Sequence, residues 1–110
     1  MEENPIFVEY RKNLPVKWER IRQLVEAVQK ERSLASLEAL RFDVHKLAGN
    51  SGTYGYMTAS SLCRSLELDL IEKIKTFNPH CLTSDWLSSL NDFMQKLGEA
   101  IRVPDKKIEL

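Results

Sequence analysis

The stretch Leu37-Glu38-Ala39-Leu40-Arg41-Phe42-Asp43-Val44-His45-Lys46-Leu47-Ala48-Gly49-Asn50-Ser51-Gly52-Thr53-Tyr54-Gly55 decides the fold. Leu37, Leu40, Val44, Leu47 and Ser51 recur at three- and four-residue steps, which is the inward stripe of one amphipathic helix. Ser33, just upstream, is its expected N-cap. His45 is rotated about 100° from Val44, so it sits on the helix flank, at the edge between core and solvent. Arg41 lies one turn before it. C-terminal to it, the neighbours assigned to its face are all small: Ala48, Gly49 and Gly52. Three of the chain's four glycines fall between positions 49 and 55. A glycine inside a helix costs roughly 0.5–1 kcal/mol against alanine, so the missing side chains need a reason. Gly52 and Gly55 suit a helix end and turn. Gly49, beside His45 and off the apolar stripe, suits a surface that a partner must approach closely.

Outward from this segment, nearly everything else carries helical period. Trp18, Ile21, Leu24, Val25 and Val28 form the stripe of a first helix. Pro15 is placed in its first turn, where a missing N–H costs nothing. Residues 6–12, with Phe7, Val8 and Tyr10, are expected to make a short preceding helix that caps the bundle. A third helix is expected from about Thr58 to Phe77, with Ala59, Leu62, Cys63, Leu66, Leu70 and Ile74 inward. Asn78-Pro79 ends it, because the residue before proline avoids the helical region. Thr83 or Ser84 caps a fourth helix with Leu87, Leu90, Phe93 or Met94, Leu97 and Ile101 inward. Pro104 stops it. No strand alternation or repeat occurs. The expectation is an all-α, antiparallel up-down four-helix bundle with a short N-terminal capping helix. It forms a single domain over 1–110, with a helical core over about 6–102 and a polar tail over 103–110.

Composition narrows the function. Sixteen Lys and Arg balance sixteen Asp and Glu, which argues against nucleic acid as a partner, since phosphate neutralisation usually shows as a basic excess. A 43% hydrophobic and 29% charged chain suits a globular domain and not a disordered one. No segment approaches the roughly 20 apolar residues of a membrane span, and the acidic N-terminus is no signal peptide. Two cysteines, Cys63 and Cys81, fit unpaired thiols in the cytoplasm. Neither they nor His45 and His80 have the spacing of a zinc site, so no metal is expected. Cys63 is read as packing, His80 as an exposed turn residue, and Tyr54 and Tyr56 as covers for the bundle end.

The run from His45 to Gly55 resembles the phosphorylation helix of histidine-containing phosphotransfer (HPt) domains. That family's pattern is His-x-Leu-x-Gly, then small residues, then a second glycine ten residues after the histidine, where Gly55 stands. Leu62-Cys63-Arg64-Ser65-Leu66-Glu67 is similar to its third-helix signature. Leu14-Pro15 with Trp18, Ile21 and Leu24 is similar to its first-helix pattern. The resemblance spans roughly residues 6–102 and implies a phosphocarrier of a multistep phosphorelay. His45 would take a phosphoryl group, expected on Nε2, from one receiver-domain aspartate and pass it to another. Glu67 would hold the other ring nitrogen, Nδ1, and so fix the tautomer. Gly49 would leave room for the receiver, and Gly55 would permit the tight connection. The docking face would comprise Gly49, Ala48, Arg41, Lys46, Gly52 and Arg64. The partners would be receiver domains or a hybrid histidine kinase, with magnesium supplied by the receiver.

One position departs from the family pattern. Many members carry lysine three residues after the histidine, where this chain has Ala48. Lys46 points about 100° away from His45, so it is no clean substitute and reads first as a solvated face residue. Charge compensation then falls to Arg41, Arg64 or the partner. There is no nucleotide-binding glycine loop, so no ATP site is expected; the resemblance implies a stoichiometric carrier, expected to be a monomer without cofactor. Two alternatives stand beside this reading. One is an interaction module that binds a receiver without phosphoryl transfer. The other is a structural bundle whose glycines serve packing only. The initiating methionine and polar tail point to a free-standing protein.

Overall fold

A computed structural model describes residues 4–105, and within them the chain forms four long helices: α1 (Pro5–Glu31), α2 (Leu34–Thr53), α3 (Met57–Lys75) and α4 (Ser84–Ala100). A single 3-10 turn, Pro79–Cys81, lies between the last two. No strand occurs among the described residues.

The expected capping helix does not exist as a separate element. Residues 6–12 are the first turns of α1, which runs unbroken through Pro15. Asn4 caps it, its Oδ1 accepting the Ile6 N–H at 2.8 Å, and Pro5 takes the first helical position. Pro15 has the right φ for a helix, but it lacks an N–H and its ring crowds the carbonyl one turn earlier. Tyr10 and Leu14 before it and Ile21, Leu24, Val25 and Val28 after it are buried on one continuous stripe. Burial of that stripe holds the helix together across the proline.

α2 starts as its sequence implies. The Ser33 Oγ accepts the Ser36 N–H at 3.1 Å, and the Ser36 Oγ accepts the Ser33 N–H at 3.2 Å, a reciprocal capping box. Leu37, Leu40, Val44, Leu47 and Ser51 are all buried. Thr83 caps α4 by accepting the Trp86 N–H. Of the α4 stripe, Leu87, Leu90, Met94 and Leu97 are buried, while Phe93 packs half-buried at the margin.

Each helix has two neighbours. α2 packs most extensively on α3, α1 lies against α2 and α4, and α3 lies against α4. Named contacts give the registers. Tyr10 shares a hydrogen bond with Ser51, and Arg20 pairs with Asp43. The Trp18 indole donates to the Met94 carbonyl and the Gln29 amide to the Leu87 carbonyl. Residue numbers thus rise along α1 while they fall along α2 and α4. At the end of the bundle Tyr54 stacks on Tyr10, with ring centroids 4.1 Å apart, and meets Phe7 edge-on.

Gly55 makes the connection from α2 to α3. Its φ is 87°, in the left-handed region that favours glycine. The Tyr56 N–H returns to the Ser51 carbonyl at 2.8 Å and the Gly55 N–H to the Gly52 carbonyl at 3.4 Å, which is a Schellman closure. Tyr56 is then buried against Tyr10. Tyr56 at the start of α3 offers no side-chain cap. Asp105 supplies one from the far end of the chain, accepting the Thr58 N–H at 2.6 Å and the Thr58 hydroxyl at 3.0 Å. Its own N–H donates to the Gly55 carbonyl. The expected polar tail is therefore anchored at its third residue, while residues 106–110 lie outside the described region.

Candidate functional site

α2 and α3 meet along most of their length, and the site lies at the rim of that seam. His45 is exposed, with 65% of its side chain open to solvent, while Glu67 beside it is only 12% exposed. The His45 Nδ1 and the Glu67 Oε2 are 2.5 Å apart. A carboxylate can only accept, so Nδ1 carries the proton, and in the neutral ring the lone pair sits on Nε2. The resemblance to the Hpt family implied this partner, and the structure brings the two together. The ring is exposed and held at Nδ1 by a largely buried carboxylate, an arrangement that leaves Nε2 as the nitrogen able to act as a nucleophile.

The glycines part into different roles. A Cβ on Gly49 would meet nothing within 4 Å, so helix packing does not require a glycine there. Beside His45 the surface is simply cleared. A Cβ on Gly52 would lie 3.3 Å from the Ser60 Oγ of α3. Gly52 stays within α2 and packs against α3, so it neither ends the helix nor belongs to the open face. Gly55 alone turns the chain. Gly98, outside the cluster, allows the Trp18 indole to close on α4, at 3.3 Å from where its Cβ would be.

The remaining predicted face residues separate too. Ala48 is buried, 2% exposed, and its carbonyl accepts the Ser60 hydroxyl, so it offers the face nothing. Its position, about 40° from Val44 and about 60° from His45, is the edge of the inward stripe, and packing of α3 over it closes it off. Lys46 is exposed but lies over the Phe42 ring, with Nζ 5.0 Å from the centroid. Arg41 is half-buried one turn before His45, and Arg64 is exposed on α3, three residues before Glu67. Neither makes an ion pair with another described residue.

Sequence reasoning missed an apolar rim. Phe42 is 57% exposed, three residues before His45, and Ile71 stands open on α3, one turn beyond Glu67, while Leu68, also open, lines the groove between α3 and α4. Their signal was available: large apolar residues that fall off the inward stripe. Cys63 is fully buried one turn before Glu67. Burial, with the Glu67 charge adding, pushes its thiol up to about 12. It is packing, as expected. No group of three or more His, Cys, Asp or Glu among the described residues is placed to hold a metal ion. No helix there is long and apolar enough to cross a membrane.

The family model of the Hpt domain matches residues 8–100. The chain belongs to the Hpt domain family. No curated protein and no solved structure matches it. Hpt domains are histidine phosphotransfer modules of two-component signalling, phosphocarriers without an ATP site of their own, and they interact with receiver domains and histidine kinases. The Hpt match covers all of α2, α3 and α4 and most of α1.

Proposed function

We propose that this Hpt domain shuttles a phosphoryl group between receiver-domain aspartates in a multistep phosphorelay, with His45 as the carrier. The observation that carries the reading is the exposed imidazole held at Nδ1 by Glu67. The Nε2 lone pair attacks the phosphorus of a receiver phosphoaspartate. The N–P bond forms as the P–O bond to the aspartate breaks, and the carboxylate leaves with that electron pair. Nδ1 keeps its proton, so the ring becomes cationic, and Glu67 stabilises that charge. The second receiver aspartate reverses the step. The domain contributes orientation and a clear approach, which is where such transfers gain most of their rate.

The open surface at Gly49 and the apolar rim of Phe42 and Ile71 suit a protein surface better than a polyanion. Arg41 and Arg64 are the cations left to face the phosphoryl group, with Lys46 held over Phe42. The helix registers support an antiparallel up-down bundle. We read the chain as one domain, monomeric, working in the cytoplasm with a receiver domain or a hybrid kinase.

A second reading has one observation in its favour. Ala48 occupies the place of the family's frequent lysine and is buried, which fits a module that binds receivers without accepting phosphate. Incubation with a phosphorylated receiver separates the two. The carrier reading expects an acid-labile label on the wild-type chain and none on His45→Gln. An unlabelled wild type that still binds the receiver supports the second reading.

A further inference from the structure

We propose that Ser60 is a positioning residue for phosphotransfer: it clamps the α2 backbone just past His45 and so holds the imidazole within reach of Glu67. The inference rests on the carrier reading and adds a residue that touches neither the ring nor the phosphoryl group. The Ser60 hydroxyl is buried at the α2–α3 seam and donates to the Ala48 carbonyl at 2.7 Å. That carbonyl already serves the helix ladder of α2, but a carbonyl oxygen has two lone pairs and takes a second donor. Gly52 leaves the clamp its room: a Cβ there would lie 3.3 Å from the Ser60 Oγ, tight enough that the hydroxyl would have to give by a few tenths of an ångström. The cost of a glycine inside α2 thereby gains its reason.

Glu67 stands seven residues beyond Ser60, two turns along the same face of α3. His45 stands three residues before Ala48 on α2. The two helices are thus tied at two polar points, Ser60 with Ala48 and Glu67 with His45. With the first point fixed, α3 cannot slide along α2 or move away without stretching the second. The first is buried and shielded from water, whereas the second is open to solvent competition. The buried tie therefore sets the geometry that the exposed one uses.

The test uses the intact chain and two readouts. Long-range ¹H–¹⁵N correlation of unphosphorylated protein reports the His45 tautomer. In the wild type, one ring nitrogen reads as protonated and the other as bare. In Ser60→Ala the two shifts should move toward each other, and transfer from a phosphorylated receiver should slow about three- to tenfold, the weight of one hydrogen bond. Gly52→Ala, which pushes the hydroxyl away, should act the same way. The double variant Gly52→Ala/Ser60→Ala relieves the crowding, so it should recover melting temperature but neither the ring shifts nor the rate. A folded Ser60→Ala with wild-type ring shifts and transfer within about twofold overturns the proposal. So does a double variant in which both recover. Should Ser60→Ala fail to fold, Gly52→Ala decides by the same two criteria. If the wild type accepts no phosphoryl group, the carrier reading fails, while the ring shifts still decide the role of Ser60.

Discussion

Replacing Glu67 by alanine removes the one contact that orients the nucleophile. The lost interaction is a 2.5 Å hydrogen bond between the His45 Nδ1–H and a carboxylate that is 12% exposed. Hydrogen bonds to charged groups contribute roughly 1.5–3 kcal/mol, and the 65% exposure of the His45 side chain calls for less than that range, about 1–1.4 kcal/mol. The deficit falls on the transition state twice over. The bare ring divides between two tautomers, only one with a lone pair on Nε2, and the cation formed on phosphorylation loses its counter-charge. Converted at 1.36 kcal/mol per decade, transfer should slow about five- to tenfold. The fold should survive, because Glu67 lies at the rim and the core stripe of α3 (Ala59, Cys63, Leu66 and Leu70) is untouched. The assay is the initial rate of label transfer from a phosphorylated receiver, beside a thermal melt. Glu67→Gln keeps an acceptor for Nδ1–H and should fall between wild type and alanine. A Glu67→Ala chain that transfers within about twofold of wild type would refute the orienting role.

Three further outcomes follow from other parts of the structure. Gly49→Gln meets no neighbour, so it should raise stability by about 0.5–1 kcal/mol through helix propensity while weakening transfer from the receiver; a lowered melting temperature would make Gly49 a packing residue. Asp105→Ala removes the only side-chain cap described on α3 and should cost about 1 kcal/mol, or roughly 4–8 °C in melting temperature, which a melt identical to wild type would contradict. The Cys63 thiol, raised from 9.0 to about 12 by burial, binds its proton more tightly folded than unfolded. Its contribution to stability is therefore complete below about pH 9 and is lost as pH rises from there toward 12. Urea melts across that window should show a shallower loss in Cys63→Ala than in wild type. A thiol reagent at pH 8 should label Cys81 and spare Cys63 until the chain unfolds.

The helices were legible because they rest on local or short-period information, and the candidate site was legible through the motif residues that carry the family resemblance. The stripe of α2, the Ser33 cap and the Thr83 cap needed only helical period and side-chain type. Glu67 was implied by the family resemblance, and the structure brings it into contact with His45. What escaped was set by contacts between distant segments. Pro15 looked like a helix start, but continuous burial of Tyr10, Leu14 and Ile21 carries α1 through it. Gly52 looked like a helix end, because the Ser60 hydroxyl it accommodates lies on another helix. Asp105 looked like tail, because its partner Thr58 is far away in sequence. Ala48 stands at the boundary by helical angle, about 40° from Val44 and about 60° from His45, and it is the packing of Ser60 from α3 that buries it.

The central claim is that phosphate resides on one nitrogen of one histidine. The direct measurement is ¹⁵N–³¹P correlation NMR of the uniformly ¹⁵N-labelled chain after charging by a phosphorylated receiver. The account predicts a single phosphorus coupled to Nε2 of His45, with Nδ1 still protonated and no signal from His45→Gln. Phosphorus on Nδ1, on His80, or on no nitrogen at all would contradict it.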